Sequence, residues 1–174
     1  MKLGFLYAGQ GSQHAGMGAD LYEQYPAFRS VLDSAEVDFD LKKVSFADPD
    51  GVINQTRYTQ PCMVAFAAGM TAVLRERGIT PSVAAGLSLG EYSALQCAGV
   101  FTAGQAVSLA AFRGRAMASA AAGRPCGMTA VLGLDREKLQ QACRQAADAG
   151  VVEIANYNCP GQLVIGGEIG RAHV

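Results

Sequence analysis

The chain has 174 residues, of which 50% are hydrophobic and 17% are charged, and its formal net charge is −1. This length and apolar content suit one domain, or one domain plus part of another, with a sizeable core. The balanced charge, without a basic patch, argues against nucleic acid as a partner.

The spacing of the cysteines and the length of the apolar runs predict a cytoplasmic protein that binds no metal and no membrane. The five cysteines are widely spaced and form no C-x-x-C pair, so we expect free thiols in a reducing cytosol. Only His14 and His173 could join them, so we expect no metal site. The N-terminal apolar stretch breaks at Gly9, too early for a signal peptide, and the run from Met63 to Leu74 is too short to span a membrane.

The chain begins with a predicted buried strand, Leu3 to Tyr7, followed by the glycine-rich loop Gly9 to Gln13. The loop starts like a dinucleotide-binding fingerprint, but His14 stands where the third glycine is required, so the fingerprint fails. The Gln10 side-chain amide, at the C-terminal end of a strand, is placed to donate a hydrogen bond to a ligand oxygen. The alternative is that the amides of this loop only brace it.

Two helices are predicted in the next part of the chain. One covers Pro26 to Val37, where apolar residues recur at helical spacing. The other, longer helix begins at Thr59, with Pro61 in its first turn and Gly78 as its C-terminal cap. The polar segment from Asn54 to Thr59 is expected to be surface loop.

The motif Gly86-Leu87-Ser88-Leu89-Gly90 reads Gly-x-Ser-x-Gly. A short apolar run precedes it and a helical pattern follows it, which predicts the strand, sharp turn and helix of a nucleophile elbow. Ser88 would sit at the strained apex, facing the positive end of the following helix dipole. These features favour a serine nucleophile for acyl transfer. The alternative is a glycine-rich turn with an incidental exposed serine.

A long helix is predicted from Ala103 to about Ala121, with Thr102 as its N-cap. Its interior carries Arg113-Gly114-Arg115, although glycine there costs about 1 kcal/mol relative to alanine. Close packing at Gly114 would explain the glycine. One arginine could then reach a cleft and bind a carboxylate with both guanidinium arms, whereas the alternative is two surface arginines.

The composition changes after Ala121. Strands are predicted at Gly127 to Leu132, Val151 to Asn156 and Gln162 to Ile165, with a helix capped by Asp135 between the first two. This order is most of a split β-α-β unit.

Three segments taken together indicate a family far more specifically than the elbow does alone. They are Gly9-Gln10-Gly11-Ser12-Gln13 with Gly16-Met17-Gly18, Gly86-Leu87-Ser88-Leu89-Gly90-Glu91-Tyr92-Ser93-Ala94-Leu95, and Phe112-Arg113-Gly114-Arg115-Ala116-Met117. With these segments, and with Asn156 to Gln162 similar to a small subdomain, the chain resembles the malonyl-CoA:acyl-carrier-protein transacylase family. The matches run in order from about Leu3 to Gly167.

The resemblance implies an α/β fold in two subdomains. Residues 1–123 would form the N-terminal part of an α/β-hydrolase-like large subdomain, with a parallel sheet and the nucleophile elbow. Residues 124–167 would form an incomplete ferredoxin-like small subdomain. Residues 168–174 fit nothing in the family, and we expect them to be a non-native tail.

The resemblance also implies roles for individual residues. Ser88 would take malonyl from coenzyme A and pass it to the phosphopantetheine thiol of acyl carrier protein in fatty acid synthesis. Gln10 and the backbone N–H of Leu89 would form the oxyanion hole, and Arg113 would pair with the malonyl carboxylate. No metal and no redox cofactor are needed, with malonyl-CoA as substrate and acyl carrier protein as partner. A monomer is expected.

Two departures from the family pattern matter. The family usually has histidine where this chain has Leu87, which is expected to alter packing around the elbow. The family's general-base histidine lies beyond the small subdomain, in a segment this chain lacks. His14 is a candidate substitute base, and His173 lies in the predicted tail, so whether the chain turns over on its own stays open.

Three alternatives stay open at this point. The chain could be an acyltransferase module of a polyketide pathway with a different extender unit. It could be a serine hydrolase or thioesterase that shares only the elbow, although Arg113 and the Gln10 loop argue against this. It could also be a carrier-protein-binding remnant without turnover, which the missing histidine would favour.

Overall fold

A computed structural model describes residues 2–123 and 125–168. The chain forms two compact units, residues 1–120 and residues 121–174. In chain order the elements that begin in the first unit are β1 (Gly4–Tyr7), α1 (Ala19–Gln24), α2 (Pro26–Asp33), α3 (Leu41–Phe46), α4 (Thr56–Glu76), β2 (Val83–Gly86), α5 (Gly90–Cys97) and α6 (Ala103–Ala121). Within the described ranges, no helix combines the length and apolar character needed to cross a membrane.

Strands β1 and β2 pair in parallel, from Gly4 opposite Val83 to Tyr7 opposite Gly86. The predicted α/β class with a parallel sheet is therefore confirmed for this unit. Strand β1 confirms the strand predicted at Leu3 to Tyr7, but its expected burial is wrong, because side chains alternate across a sheet and Leu6 is 84% exposed.

The inner face of β1 is anchored to α4 through Tyr7. The hydroxyl oxygens of Tyr7 and Thr71 lie 2.7 Å apart. Burial, and secondly a side-chain hydrogen bond to Cys97, raise the pKa of Tyr7 to about 12, so the phenol is neutral at physiological pH. A guanidinium N–H of Arg75, near the end of α4, donates to the carbonyl oxygen of Cys97. These bonds hold the strand, α4 and the end of α5 in one arrangement.

The core of this unit is centred on Phe28 of α2, which is fully buried. Its ring meets that of Phe66 edge-on, with 5.8 Å between centroids. Two glycines make room for it, because a Cβ at Gly69 would lie 2.5 Å from the Phe28 ring and a Cβ at Gly18 would lie 2.8 Å from it. Gly69 on α4 and Gly18 before α1 thus allow α2 to pack closely.

Helix α4 begins earlier than its sequence pattern predicts. It starts at Thr56, so Pro61 lies inside the helix and the predicted loop from Asn54 to Thr59 is largely helical. Thr59 and Gln60 are buried despite their polarity. The Thr59 hydroxyl donates to the carbonyl oxygen of Gln55 at 3.1 Å, which satisfies this buried hydroxyl, and the Gln60 Nε2 donates to the Met117 sulfur at 3.3 Å.

The second unit is an antiparallel sheet with one helix on it. Its described elements are β3 (Cys126–Leu132), α7 (Arg136–Ala146), a 3₁₀ turn (Ala147–Ala149), β4 (Val152–Cys159) and β5 (Gln162–Glu168). Strand β5 lies between β3 and β4 and is antiparallel to both, which is the predicted split β-α-β order.

The boundaries in this unit differ from the sequence prediction most at the ends of β4 and β5. Strand β4 continues to Cys159, beyond its predicted end at Asn156, and β5 continues to Glu168, opposite Cys126. Glu168 is the first residue of the predicted tail, whose other residues, 169–174 with His173, lie outside the described ones. The Asp135 carboxylate caps α7 as predicted, accepting a hydrogen bond from Lys138 N at 2.8 Å.

Replacing Phe28 with alanine is expected to lower the free energy of unfolding by about 3–5 kcal/mol, since it removes a buried ring and leaves a cavity. The matched control is Phe112→Ala, at a side chain that is 65% exposed, with an expected change below about 0.5 kcal/mol. Urea denaturation followed by circular dichroism measures both. Equal effects of the two substitutions would show that Phe28 does not anchor the core.

Candidate active site

The Gly-x-Ser-x-Gly motif forms the predicted strand, turn and helix. β2 ends at Gly86 and α5 begins at Gly90. Between them Ser88 has φ of 53°, in the left-handed region that non-glycine residues rarely adopt, and its side chain is exposed. A strained, exposed serine ahead of a helix N-terminus is typical of a nucleophile held for attack.

The two outer glycines of the motif are required by close backbone contacts. A Cβ on Gly86 would collide with the carbonyl group of Gly90, and a Cβ on Gly90 would collide with the carbonyl oxygen of Tyr7. Because these contacts are with backbone atoms, no side-chain adjustment could relieve them. The elbow can therefore close only with glycine at both positions.

The loop after β1 lies directly against the elbow. The Leu87 N–H donates to the Tyr7 carbonyl oxygen at 3.1 Å, and a Cβ on Gly9 would be 3.0 Å from the Leu87 carbonyl oxygen. The Leu87 side chain is itself exposed at the surface of this contact. The next residue of the loop is Gln10.

The Gln10 side chain turns away to the start of α4, where its Nε2 donates to the Thr56 hydroxyl oxygen at 3.2 Å. The backbone N–H groups of Gln10 and Leu89 donate to no acceptor within the described part of the chain. Leu89 is the N-cap of α5, so its N–H belongs to the unpaired donors of a helix start. Within the described residues, these two backbone N–H groups are therefore left without a protein acceptor.

Arg113 reaches Ser88 from α6. Its Nη2 donates to the Ser88 hydroxyl oxygen at 3.1 Å, and its guanidinium carbon lies 5.9 Å from the centroid of the Tyr92 ring. Arg115 is exposed, and its guanidinium lies 3.7 Å from the Asp38 carboxylate. The structure therefore directs one arginine of the pair to the serine and the other to a surface carboxylate.

Gly114 allows α6 to approach α4 closely. A Cβ at this position would lie 2.9 Å from the Thr56 carbonyl oxygen and 3.2 Å from the Arg57 Cα. The close packing inferred from the sequence is present, and it is backbone-to-backbone. This contact sets how far Arg113, the preceding residue, projects toward the elbow.

His14 does not contact the serine. Its Nδ1 lies 3.4 Å from the Ser12 carbonyl oxygen, and Arg113 is the only described side chain that hydrogen bonds to the Ser88 hydroxyl. The expectation of His14 as a substitute base gains no geometric support from this position.

Thr56 and Asn54 are site residues that the sequence reasoning missed. Thr56 accepts from Gln10, and the Asn54 Oδ1 accepts from Gln13 Nε2 at 2.9 Å. Both lie in the segment predicted to be surface loop. A polar run carries no periodicity that would reveal such partners.

This geometry can be set against known proteins. Residues 4–172 match the acyl transferase domain family. The chain belongs to that family. A curated relative from Bacillus subtilis, malonyl CoA-acyl carrier protein transacylase, is 40% identical over 169 residues, covering 95% of this chain and 53% of the relative.

Solved structures of similar fold agree with the match to the acyl transferase domain family. The malonyl CoA-acyl carrier protein transacylase of Clostridium perfringens superposes with a TM-score of 0.88 at 37% identity, over 99% of this chain and 56% of the other. A malonyl-transacylase solved with its type II PKS acyl-carrier protein gives 0.86 at 38% identity, over 99% and 58%. The chain spans about half the length of the relatives it matches.

Gly114→Ala is expected to lower the free energy of unfolding by about 1–3 kcal/mol, because the added methyl group forces α6 away from the α4 backbone. The control on the same helix is Gly104→Ala, where the nearest atom to a Cβ is 4.0 Å away. There the better helix propensity should stabilise by up to about 1 kcal/mol. Urea midpoints that move in the same direction would contradict the close approach.

Proposed function

We propose that the protein transfers a malonyl group from coenzyme A to the phosphopantetheine thiol of acyl carrier protein, in fatty acid synthesis, through a Ser88 ester. One observation carries the proposal: a guanidinium nitrogen lies 3.1 Å from the hydroxyl of a serine at a strained elbow. A serine nucleophile fits acyl transfer, and the adjoining cation fits an acyl group that ends in a carboxylate. The names of the relatives agree with this choice.

In the first half-reaction the Ser88 Oγ attacks the thioester carbonyl of malonyl-CoA. An O–C bond forms, the C–S bond breaks, and coenzyme A leaves with the proton that the hydroxyl loses. In the second half-reaction the carrier thiol attacks the carbonyl carbon of the Ser88 ester. An S–C bond forms, the O–C bond breaks, and the Ser88 oxygen takes the proton that the thiol loses. A covalent ester between two thioesters predicts ping-pong kinetics.

The oxyanion of each tetrahedral intermediate would be bound by the backbone N–H groups of Gln10 and Leu89. Their lack of acceptors within the described residues supports this role, as does the position of Leu89 at the start of α5. Oxyanion donors contribute roughly 3–4 kcal/mol each in comparable sites. The Gln10 amide, engaged with Thr56, would act on the loop rather than on the oxyanion.

Arg113 would change partners during the reaction. In the unloaded protein it donates to the Ser88 hydroxyl, and after acylation it would take the malonyl carboxylate with both guanidinium arms. An acetyl group would leave the guanidinium without an anion, so pairing between Arg113 and the free carboxylate favours dicarboxylic acyl groups.

We also propose that the two compact units correspond to the α/β-hydrolase-like large subdomain and the ferredoxin-like small subdomain of the family. The parallel β1–β2 pair with its elbow supports the first assignment, and the β3-β5-β4 order supports the second.

A second candidate is the same transfer in a polyketide pathway. It is favoured by the similarity to a transacylase solved with a type II PKS acyl-carrier protein. The two candidates share the Ser88 chemistry and differ in the carrier protein that accepts malonyl.

The test is incubation with malonyl-CoA followed by intact-mass analysis, with Ser88→Ala as the control. The proposal expects one malonyl adduct that is absent from the control and that moves to added holo acyl carrier protein. Release as free malonate would instead indicate a hydrolase. Carrier binding without any adduct would indicate a non-catalytic remnant.

Arg113→Ala is expected to reduce the preference for malonyl-CoA over acetyl-CoA by between about 10-fold and 100-fold, the range for losing a charge-assisted hydrogen-bonded pair. The measurement is the rate of adduct formation with each thioester. Arg115→Ala, on the same helix but directed at Asp38, should leave the preference unchanged. An Arg113→Ala protein with an unaltered preference would refute the carboxylate role.

A further inference from the structure

The loop that carries Gln10 is tied to the start of α4 by two side-chain hydrogen bonds. Gln10 Nε2 donates to the Thr56 hydroxyl oxygen at 3.2 Å, and Gln13 Nε2 donates to Asn54 Oδ1 at 2.9 Å. The other end of the Gln13 amide folds back on the loop, where its Oε1 accepts from the Gly11 N–H at 2.8 Å. Two amides that flank Gly11 therefore fix this loop to one short segment, Asn54 to Thr56.

Thr56 differs from Asn54 because it also meets α6. Its hydroxyl accepts from Gln10, while its carbonyl oxygen lies against Gly114, where a Cβ would approach to 2.9 Å. Gly114 follows Arg113, whose guanidinium reaches Ser88. One residue thus touches both the loop of the oxyanion donor and the helix of the carboxylate partner.

The backbone of Gln10 has few other restraints. Gly9 before it and Gly11 after it carry no side chain, and its own side chain is exposed. An N–H group that must meet a developing oxyanion has to be held in place before the reaction, since a donor that must first be ordered loses much of its effect. Among the described residues, the hydrogen bond to Thr56 is the one that restrains the Gln10 side chain.

We propose that Thr56 is a positioning residue for the oxyanion hole. Its hydroxyl holds the Gln10 side chain at the start of α4 and so keeps the Gln10 backbone N–H directed toward the oxygen that develops at Ser88. The catalytic role rests on the proposed function, in which an oxyanion develops at Ser88. The restraint of the Gln10 side chain by Thr56 does not depend on the substrate. Thr56 touches no reacting atom.

The first experiment compares Thr56→Val, which removes the hydroxyl at nearly constant shape, with Thr56→Ser, which keeps it. A tagged fluorophosphonate is the probe, because it labels Ser88 by forming an O–P bond with loss of fluoride and needs no malonyl group. Thr56→Val should label roughly three- to tenfold more slowly, the factor for one lost hydrogen bond, and Thr56→Ser should stay within twofold of the parent. Thr80→Val, at an exposed threonine outside the site, is the matched control and should label at the parent rate.

A double-mutant cycle then separates positioning from general destabilisation. Gln10→Leu keeps the backbone N–H and removes the amide, so it should slow labelling as much as Thr56→Val does. The double variant should show no further loss, because both changes remove the same bond. Losses that multiply, or a parent-like rate for Thr56→Val, would overturn the proposal.

Two further measurements keep the proposal separate from the malonyl assignment. With malonyl-CoA, Thr56→Val should lower the maximal rate of adduct formation and leave the half-saturating concentration unchanged. In ¹H–¹⁵N spectra, the Gln10 side-chain amide should shift and exchange faster in Thr56→Val but not in Thr56→Ser, and an unchanged signal would overturn the proposal. A parent chain that forms no malonyl adduct would defeat the proposed function, while labelling and spectra would still decide the role of Thr56.

Discussion

The site depends on the contact between the elbow and the end of β1. Gly86 and Gly90 bring β2 and α5 together without side chains, and Gly90 then lies on the Tyr7 carbonyl oxygen. Because three backbone segments meet here, the turn has no room to relax, and Ser88 is held at φ of 53°. The same contact brings the loop of Gln10 beside the serine. The strain at one residue is thus maintained by the packing of glycines around it.

Helix α4 is the second support of the site. Its first turn meets the Gln10 loop through Thr56 and α6 through the Gly114 contact, while its later turns hold β1 through Thr71 and α2 through Gly69. The Gly114 contact joins main-chain atoms of two helices, and such a contact fixes position more rigidly than an exposed side chain does, because close-packed interiors deform little. Ser88, the Gln10 loop and Arg113 therefore come from different elements that pack around one helix.

How much of the structure could be predicted from the sequence depends on the kind of sequence pattern. The elbow, the Thr102 start of α6 and the Asp135 cap of α7 are short-range patterns, and the structure has each of them. The glycine between two arginines correctly indicated close packing, because glycine inside a helix needs a steric reason. The start of α4 was missed, since the polar residues from Thr56 to Gln60 resemble a loop until their burial is known. Leu6 was expected to be buried, and only the sheet shows which face is covered.

The sequence by itself determined the family, the parallel α/β arrangement and the candidates Ser88, Gln10, Leu89 and Arg113, because motif spacing and residue chemistry are local properties. The tertiary structure decided which of these come together. It directs Arg113 rather than Arg115 to the serine, turns the Gln10 amide to Thr56 and leaves His14 on its own loop. These outcomes depend on helix approach and loop closure between residues far apart in the chain. No local pattern encodes such distances, whereas packing against shared neighbours fixes them.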